Sequence, residues 1–336
     1  MTTRASGRVL TARNLTIGFR RDARWITAVD RLGFHVDQGE TVAFVGESGC
    51  GKSITALSLI GLLPPSADVI GGEIELFDRR LSDLSERELR SLRGDRVSMI
   101  FQDPMAALNP VLTVGEQIAE AILTHRKIGR AAARDEAVRL LAQVEIADAA
   151  LRIDDYPHQL SGGMRQRAMI AIAIANRPDL LIADEPTTAL DATVRHQILS
   201  LLKSIQRDTG MALLLITHDL DIVKGWADRV IVMYAGRKVE ERDAQRLSIA
   251  SRHPYTRALN EARPRRRPDS GVRPRLPEIA GGAPPLGEPI EGCAFAGRCL
   301  IAVERCRRDA PPLRAVSPSG FVACHLADTV EEFPYG

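Results

Sequence analysis

The run Gly46-Glu47-Ser48-Gly49-Cys50-Gly51-Lys52-Ser53 constrains this chain more than any other stretch. It fills every fixed position of the pattern G-x-x-x-x-G-K-[ST]. Glycines at these places let backbone N–H groups close around phosphate oxygens where a Cβ would collide. Lys52 brings a point charge to the β- and γ-phosphates, and the Ser53 hydroxyl can ligate Mg²⁺. The flanks agree with this reading. Residues 41–45 (TVAFV) have the look of a short buried strand, and 53–63 that of an apolar helix. The loop would then sit at a helix N-terminus, where unpaired N–H groups and the helix dipole favour an anion.

The surrounding pattern fits an α/β protein. Short strands are predicted at 9–12, 15–19, 32–36, 41–45, 72–77 and 96–101, then helix from 106 to about 153. Two apolar strands, 180–183 and 213–217, follow with a helix between them, which implies a parallel sheet. A hairpin closes the pattern at 229–239. After residue 249 proline and arginine rise and apolar periodicity fades, so a boundary is expected near 250. The 336 residues allow about two domains. A net charge of +2 argues against a nucleic-acid binder. No apolar run approaches the ~20 residues needed to span a bilayer. The N-terminus lacks the apolar core of a secretory signal. The chain therefore reads as cytoplasmic, with any membrane role supplied by partners. Arg252, Arg257, Arg263, Arg265, Arg266, Arg267, Arg273 and Arg275 crowd one Pro-containing stretch. A solvated linker is the favoured reading, and contact with lipid head groups or an acidic partner the sharper one.

Leu180-Leu181-Ile182-Ala183-Asp184-Glu185 is an apolar strand that ends in two carboxylates. Asp184 suits a Mg²⁺ role beside Ser53. Glu185, one residue on, can polarise a water for in-line attack on a γ-phosphate. Ser161-Gly162-Gly163 precedes a helix and would form a second anion-cradling turn. One nucleotide does not need two cradles, so the simplest solution is that this turn serves a nucleotide on another subunit.

Taken together, these segments resemble the ATP-binding subunit of an ABC transporter. The set comprises the phosphate loop Gly46–Ser53, Gln102, the signature Leu160–Gln166, the strand ending at Asp184, Glu185 as candidate base, Ala189-Leu190-Asp191, and His218 in Ile216-Thr217-His218-Asp219. The resemblance implies an ABC ATPase cassette of the phosphate-loop NTPase class. Such a cassette has a mixed-sheet core, an antiparallel β subdomain and a helical subdomain at about 105–165. It also implies that Gln102 senses Mg²⁺ and nucleotide and couples to a membrane subunit, and that His218 contacts the γ-phosphate. Ser161, Gly162, Gly163 and Gln166 would reach a partner's ATP, and Asp191 would span the dimer seam. Ile54 joins the nucleotide-contacting set. The family stacks an aromatic on adenine; Phe19 fits by order, with Trp25 a rival.

A narrower resemblance covers nearly the whole chain. Phe101-Gln102-Asp103-Pro104-Met105, Leu108-Asn109-Pro110, Tyr156-Pro157-His158-Gln159, Ala183 to Asp191, Met233-Tyr234-Ala235-Gly236 and His253-Pro254-Tyr255-Thr256 are similar to the oligopeptide/dipeptide importer ATPases. This implies residues 1–250 as nucleotide-binding domain and 251–336 as an importer-type extension. The implied partners are a second, related ATPase subunit, two membrane permease subunits and an extracytoplasmic solute-binding protein. The implied location is the cytoplasmic face of the inner membrane. Peptides are the default solute; nickel complexes, glutathione and glycans are carried by related systems. A soluble, non-transport ABC ATPase is the reading of a different class. It is disfavoured because the chain has neither a long coiled-coil insertion nor a second cassette.

Four of the five cysteines, Cys293, Cys299, Cys306 and Cys324, cluster in the tail. Thiols grouped in a cytosolic chain suggest a metal, by softness zinc or an iron–sulfur cluster, with buried free thiols the plain alternative. His325 is a candidate substitute ligand for zinc. The importer resemblance implies a [4Fe–4S] cluster, expected to staple a core-poor tail. Cys50 lies in the phosphate loop, which raises the expectation that thiol reagents block the ATPase.

Overall fold

The computed structural model describes residues 7–22, 24–188, 190–262, 279–317 and 320–329. Ala189 and the arginines from Arg263 to Arg275 lie outside them. The strands in chain order are β1 (Arg8–Arg21), β2 (Arg24–Asp37), β3 (Thr41–Val45), β4 (Ala67–Leu76), β5 (Arg79–Arg80), β6 (Val97–Ile100), β7 (Leu180–Asp184), β8 (Ala212–Thr217), β9 (Arg229–Tyr234), β10 (Arg237–Asp243), β11 (Arg314–Ser317) and β12 (Gly320–Val322). They form two sheets. A four-stranded antiparallel sheet runs β2-β1-β4-β5, and an eight-stranded sheet runs β11-β12-β10-β9-β3-β8-β7-β6.

Within the large sheet, β9, β3, β8, β7 and β6 are mutually parallel. Their sequences explain why. β3, β7 and β8 are fully buried along their length, as strands covered on both faces must be, so they read as unbroken apolar runs rather than alternating ones. The chain returns between β7 and β8 through the helix Ala192–Thr209. Asp191 caps its start, and Gly210, in the left-handed conformation, ends it.

Two predicted strands, 9–12 and 15–19, are one strand in the structure. Register shifts between Ala12 and Leu15 let β1 continue past the exposed Arg13 and Asn14. The predicted helical stretch from 106 resolves into Pro104–Ala107, Val114–His125, Arg130–Gln143 and Ala149–Arg152. The second of these opens on a capping box of Thr113 and Glu116.

Apolar burial falls into three main blocks. One lies between the helical segment and the large sheet (Ile100, Ile118, Leu140, Ile198). Another joins the two sheets (Leu15, Phe34, Phe44, Leu76). The third lies under the tail, around Tyr234, Tyr255 and Phe295, whose rings meet at 4.6 to 5.4 Å. The tail also extends the large sheet: β12 pairs with β10 through Glu240↔Val322 and Glu241↔Phe321.

Candidate functional site

The strand order β3-β8-β7-β6 sets the site. The phosphate loop leaves the C-terminal end of β3, His218 follows β8, Glu185 follows β7, and Gln102 follows β6. Four segments far apart in sequence thus share one sheet edge, the edge at which open α/β sheets bind ligands.

Close packing dictates two of the loop's glycines. A Cβ on Gly46 would lie 2.2 Å from the Met233 carbonyl oxygen. Gly51 has φ +100°, and its Cβ would lie 2.9 Å from Val29 Cγ2. Glu47 is half-buried, while Ser48 and Gly49 at the tip are exposed. Lys52 is 5% exposed, and its ammonium donates to the carbonyl oxygens of Gly46 at 2.8 Å and Glu47 at 3.0 Å. The loop is held in a ring around its own lysine. Ser53 Oγ donates to Asp184 Oδ1 at 3.1 Å, so a hydroxyl and a carboxylate stand side by side as Mg²⁺ ligands require. Burial raises the Asp184 pKa; the Ser53 hydrogen bond opposes this and the neighbouring Glu185 charge adds to it. Ile54 is half-buried in the following helix and packs against the core between the sheets.

Glu185 is the focus of the site. Its Oε2 accepts from Thr188 Oγ1 at 2.8 Å and Gln102 Nε2 at 3.2 Å, and lies 3.3 Å from His218 Nδ1. Its φ of +46° is a left-handed conformation unusual for glutamate. The Glu185 N–H donates to the Ile216 carbonyl of β8 at 2.9 Å, which helps hold it there. Three neighbours on one oxygen hold the carboxylate in place. Thr188 had no role in the sequence reading; it lies in the strand-to-helix turn after Glu185, where only the fold reveals its reach. Arg195 donates to Asp219 Oδ2 at 3.0 Å and ties the helix after Asp191 to the segment that carries His218.

The signature stands elsewhere. Ser161 caps the helix Gly162–Ile174 by accepting from the Met164 N–H. Ser161 and Gly162 are exposed and Gly163 is half-buried, so the turn faces outward from its own chain. Gln166 is buried within that helix. Asp191 caps the next helix, accepting from the N–H groups of Thr193 and Val194 at 2.9 Å. Phe19 is half-buried and pairs with Ile26 across β1 and β2. Beside the loop, a cavity of about 550 Å³ is walled by Trp25, Ile26 and Ala28 on one side and by Gly287 to Ile290 on the other. Its wall takes in Trp25 rather than Phe19.

Comparison with known proteins decides the family. The ABC transporter family matches residues 29–188, and the oligopeptide/dipeptide transporter C-terminal region matches 239–306. A probable peptide ABC transporter ATP-binding protein of Sinorhizobium fredii is 49% identical over 96% of each chain. The dipeptide transport ATP-binding protein of Bacillus subtilis is 48% identical over 96% of this chain and 95% of its own. The chain belongs to the ATP-binding subunits of ABC transporters. Among solved structures, a dimeric ATP-binding cassette in a post-hydrolysis state, bound to ADP and Pi, superposes with TM-score 0.63 at 28% identity. That match covers 70% of this chain and 98% of the cassette.

As an ABC ATPase, the subunit binds and hydrolyses ATP with Mg²⁺. Among the described residues, no helix is long and apolar enough to cross a membrane.

Two tail and loop expectations change. Cys293, Cys299, Cys306 and Cys324 do line one small cavity of about 10 Å³ with His253 and His325. Among the described residues, however, no three His, Cys, Asp or Glu side chains close into a metal-holding group. The cavity has room for about one water. His325 points its Nε2 at the Asp309 carbonyl oxygen, 2.9 Å away, which spends that nitrogen outside the thiol group. Burial pushes Cys324 up to about 12, with the other tail thiols adding to it. Cys50 is 4% exposed, and burial raises its thiol against the pull of Lys52. The expected sensitivity of Cys50 to thiol reagents is therefore corrected: a protonated, shielded thiol is a poor nucleophile.

Proposed function

We propose that this subunit powers the import of di- and oligopeptides across the cytoplasmic membrane, working at its cytoplasmic face. The observation that carries the catalytic part is the convergence of Gln102, Thr188 and His218 on Glu185, beside the Ser53–Asp184 pair. In this reading the amides of residues 46–53 and the Lys52 ammonium bind the β- and γ-phosphates, with Lys52 exchanging its loop carbonyls for phosphate oxygens. Ser53, Asp184 and Gln102 hold Mg²⁺, which supplies charge neutralisation at the β- and γ-oxygens. Glu185 orients and deprotonates the attacking water, and His218 contacts the γ-phosphate. Trp25, in the wall of the cavity, is the aromatic placed to stack on the base, with Phe19 the alternative.

The outward Ser161 turn completes the ATP site of a second, related ATPase subunit, and Asp191 lies at that seam. The dimeric cassette superposed above supports this arrangement. Phe101, Met105 and Val111, exposed in the segment around and after Gln102, offer apolar side chains to the two permease subunits, which receive solute from an extracytoplasmic binding protein. The named peptide and dipeptide relatives support a peptide solute. Residues 1–250 act as the nucleotide-binding unit and 251–336 as the importer-type extension. The four tail thiols fit a soft metal group by donor chemistry and by sharing one cavity. By the importer resemblance Cys293, Cys299, Cys306 and Cys324 would hold a structural [4Fe–4S] cluster, which requires the thiols to draw apart from the one-water cavity they line here.

The test is reconstitution with the permease partners and binding protein in liposomes. Dipeptide uptake coupled to ATP hydrolysis is expected. Coupling to a nickel complex, glutathione or a glycan instead would overturn the peptide reading. Failure to retain labelled nucleotide with saturating Mg²⁺ would overturn the ATPase site.

A further inference from the structure

Glu47, inside the phosphate loop, has all three of its polar groups fixed, and two of the three are fixed by the tail. Its carbonyl accepts from Lys52 at 3.0 Å. Its N–H donates to the Tyr255 hydroxyl at 2.8 Å. Its carboxylate takes both prongs of the Arg298 guanidinium, at 2.7 and 3.0 Å. Arg298 is itself locked: Nε donates to the Ala280 carbonyl and Nη2 to the Ile279 carbonyl, each at 3.0 Å, and Nη1 reaches the Tyr234 hydroxyl at 3.3 Å. Its side chain is 8% exposed. Tyr255 is buried, and its helix starts at a cap where His253 Nδ1 accepts the Tyr255 N–H at 3.1 Å.

A carboxylate is an awkward neighbour for a triphosphate. Like charges a few ångströms apart in a partly dry site repel, and a paired, forked guanidinium cancels the charge while fixing the geometry. Resting on the reading that ATP binds at residues 46–53, we propose that Arg298 and Tyr255 are positioning residues of the ATP site. The tail sets the backbone of the loop through Tyr255 and neutralises Glu47 through Arg298. The tail thereby acts on nucleotide affinity without touching nucleotide. Arg298 lies between Cys293 and Cys299, so any change of state at the thiol cavity has a one-residue path to the loop.

The experiment compares wild type, Arg298→Gln, Arg298→Lys, Glu47→Gln and the double variant Glu47→Gln/Arg298→Gln in the intact transporter complex. MgATP affinity is read together with KM and kcat for hydrolysis. Leaving the carboxylate unpaired should raise the dissociation constant and KM about tenfold in Arg298→Gln, with kcat within about twofold. The double variant should bind MgATP better than Arg298→Gln, because the stranded charge is gone. Arg298→Lys should recover part of the loss, since lysine cancels charge but cannot fork. Equal affinity in wild type and Arg298→Gln would overturn the inference. So would losses that simply add in the double variant. Should Arg298→Gln fail to fold, the Glu47→Gln background carries the test. There, removing Arg298 must leave affinity within about threefold, and a tenfold loss refutes the charge argument. A wild type that binds no MgATP would sink the ATP-site reading instead, a result distinct from all of these.

Discussion

In the parallel half of the large sheet, Lys52, Ser53, Asp184 and Glu185 stand at the C-terminal ends of β3 and β7 and engage their neighbours at 2.8 to 3.3 Å. In the tail, four thiols surround one cavity without three of them closing into a metal group. Both regions bring sequence-distant polar groups together. The first does so with strands, whose ends fix each loop. The second uses turns and short strands packed on an aromatic knot. Backbone scaffolding therefore preorganises chemistry in one region, while in the other the side chains are gathered but not set.

The sharpest way to test that contrast is at Glu185. Replacing it with glutamine should cut ATP turnover by about 10²–10⁴-fold while MgATP binding persists. Phosphate-release assays alongside equilibrium binding would show it, and unimpaired turnover would strip the residue of its role.

At the junction of the two regions, Glu241 binds Lys238 at 2.6 Å and Arg229 at 2.5 Å on a strand that pairs with the tail. Burial works to raise its carboxyl, but Lys238 and Arg229 outweigh burial and hold it below the ordinary range. Its stabilisation is present above the unfolded value of about 4.3 and is lost as pH falls through the lower folded value. Glu241→Gln should cost about 3 kcal/mol at neutral pH and flatten the acid limb of the stability curve, measured by denaturant titration from pH 7 to 3.

For the tail itself, paired Cys293→Ser and Cys324→Ser should lower Tm by about 4–8 °C if a metal group staples it. Iron and sulfide analysis of anaerobically purified protein tells the two metals apart. Zinc at stoichiometry without iron would reject the cluster, and neither metal would leave four buried thiols.

A milder effect is expected at Asp184. Because burial raises its pKa, MgATP affinity should begin to fall on acidification at a higher pH than an ordinary aspartate, near 3.9, would set. Isothermal titration across pH 4 to 7 checks this, and a pH profile matching a solvated aspartate would contradict it. The smallest effect is at Cys50, where maleimide treatment should leave hydrolysis within about twofold.

The parallel half was readable because its chemistry lies in contiguous strings tied to apolar strands: 41–53, 180–185 and 213–218. A string fixes its own local geometry, and the family resemblance these strings carry was enough to expect Gln102, Glu185 and His218 at one site. Arg298 and Tyr255 were invisible as partners of Glu47, since 251 and 208 residues separate them from it and no local pattern encodes such contacts. Thr188 was legible as part of a string but not as a ligand of Glu185, because the left-handed turn at Glu185 that brings them together has no glycine to announce it. The bulged β1 read as two strands because exposed Arg13 and Asn14 break its apolar pattern.

The pairing of β10 with β12 bears on how the molecule is made. On a ribosome, Glu240 and Glu241 emerge well before Phe321 and Val322, so the growing sheet spends that interval with an open margin. The nascent cassette has its ATP-handling strands early and its closing strands late. Until the last of them arrives, the β10 edge offers unpaired backbone groups to any strand that meets it, and a stop codon in the tail would leave that margin bare for good.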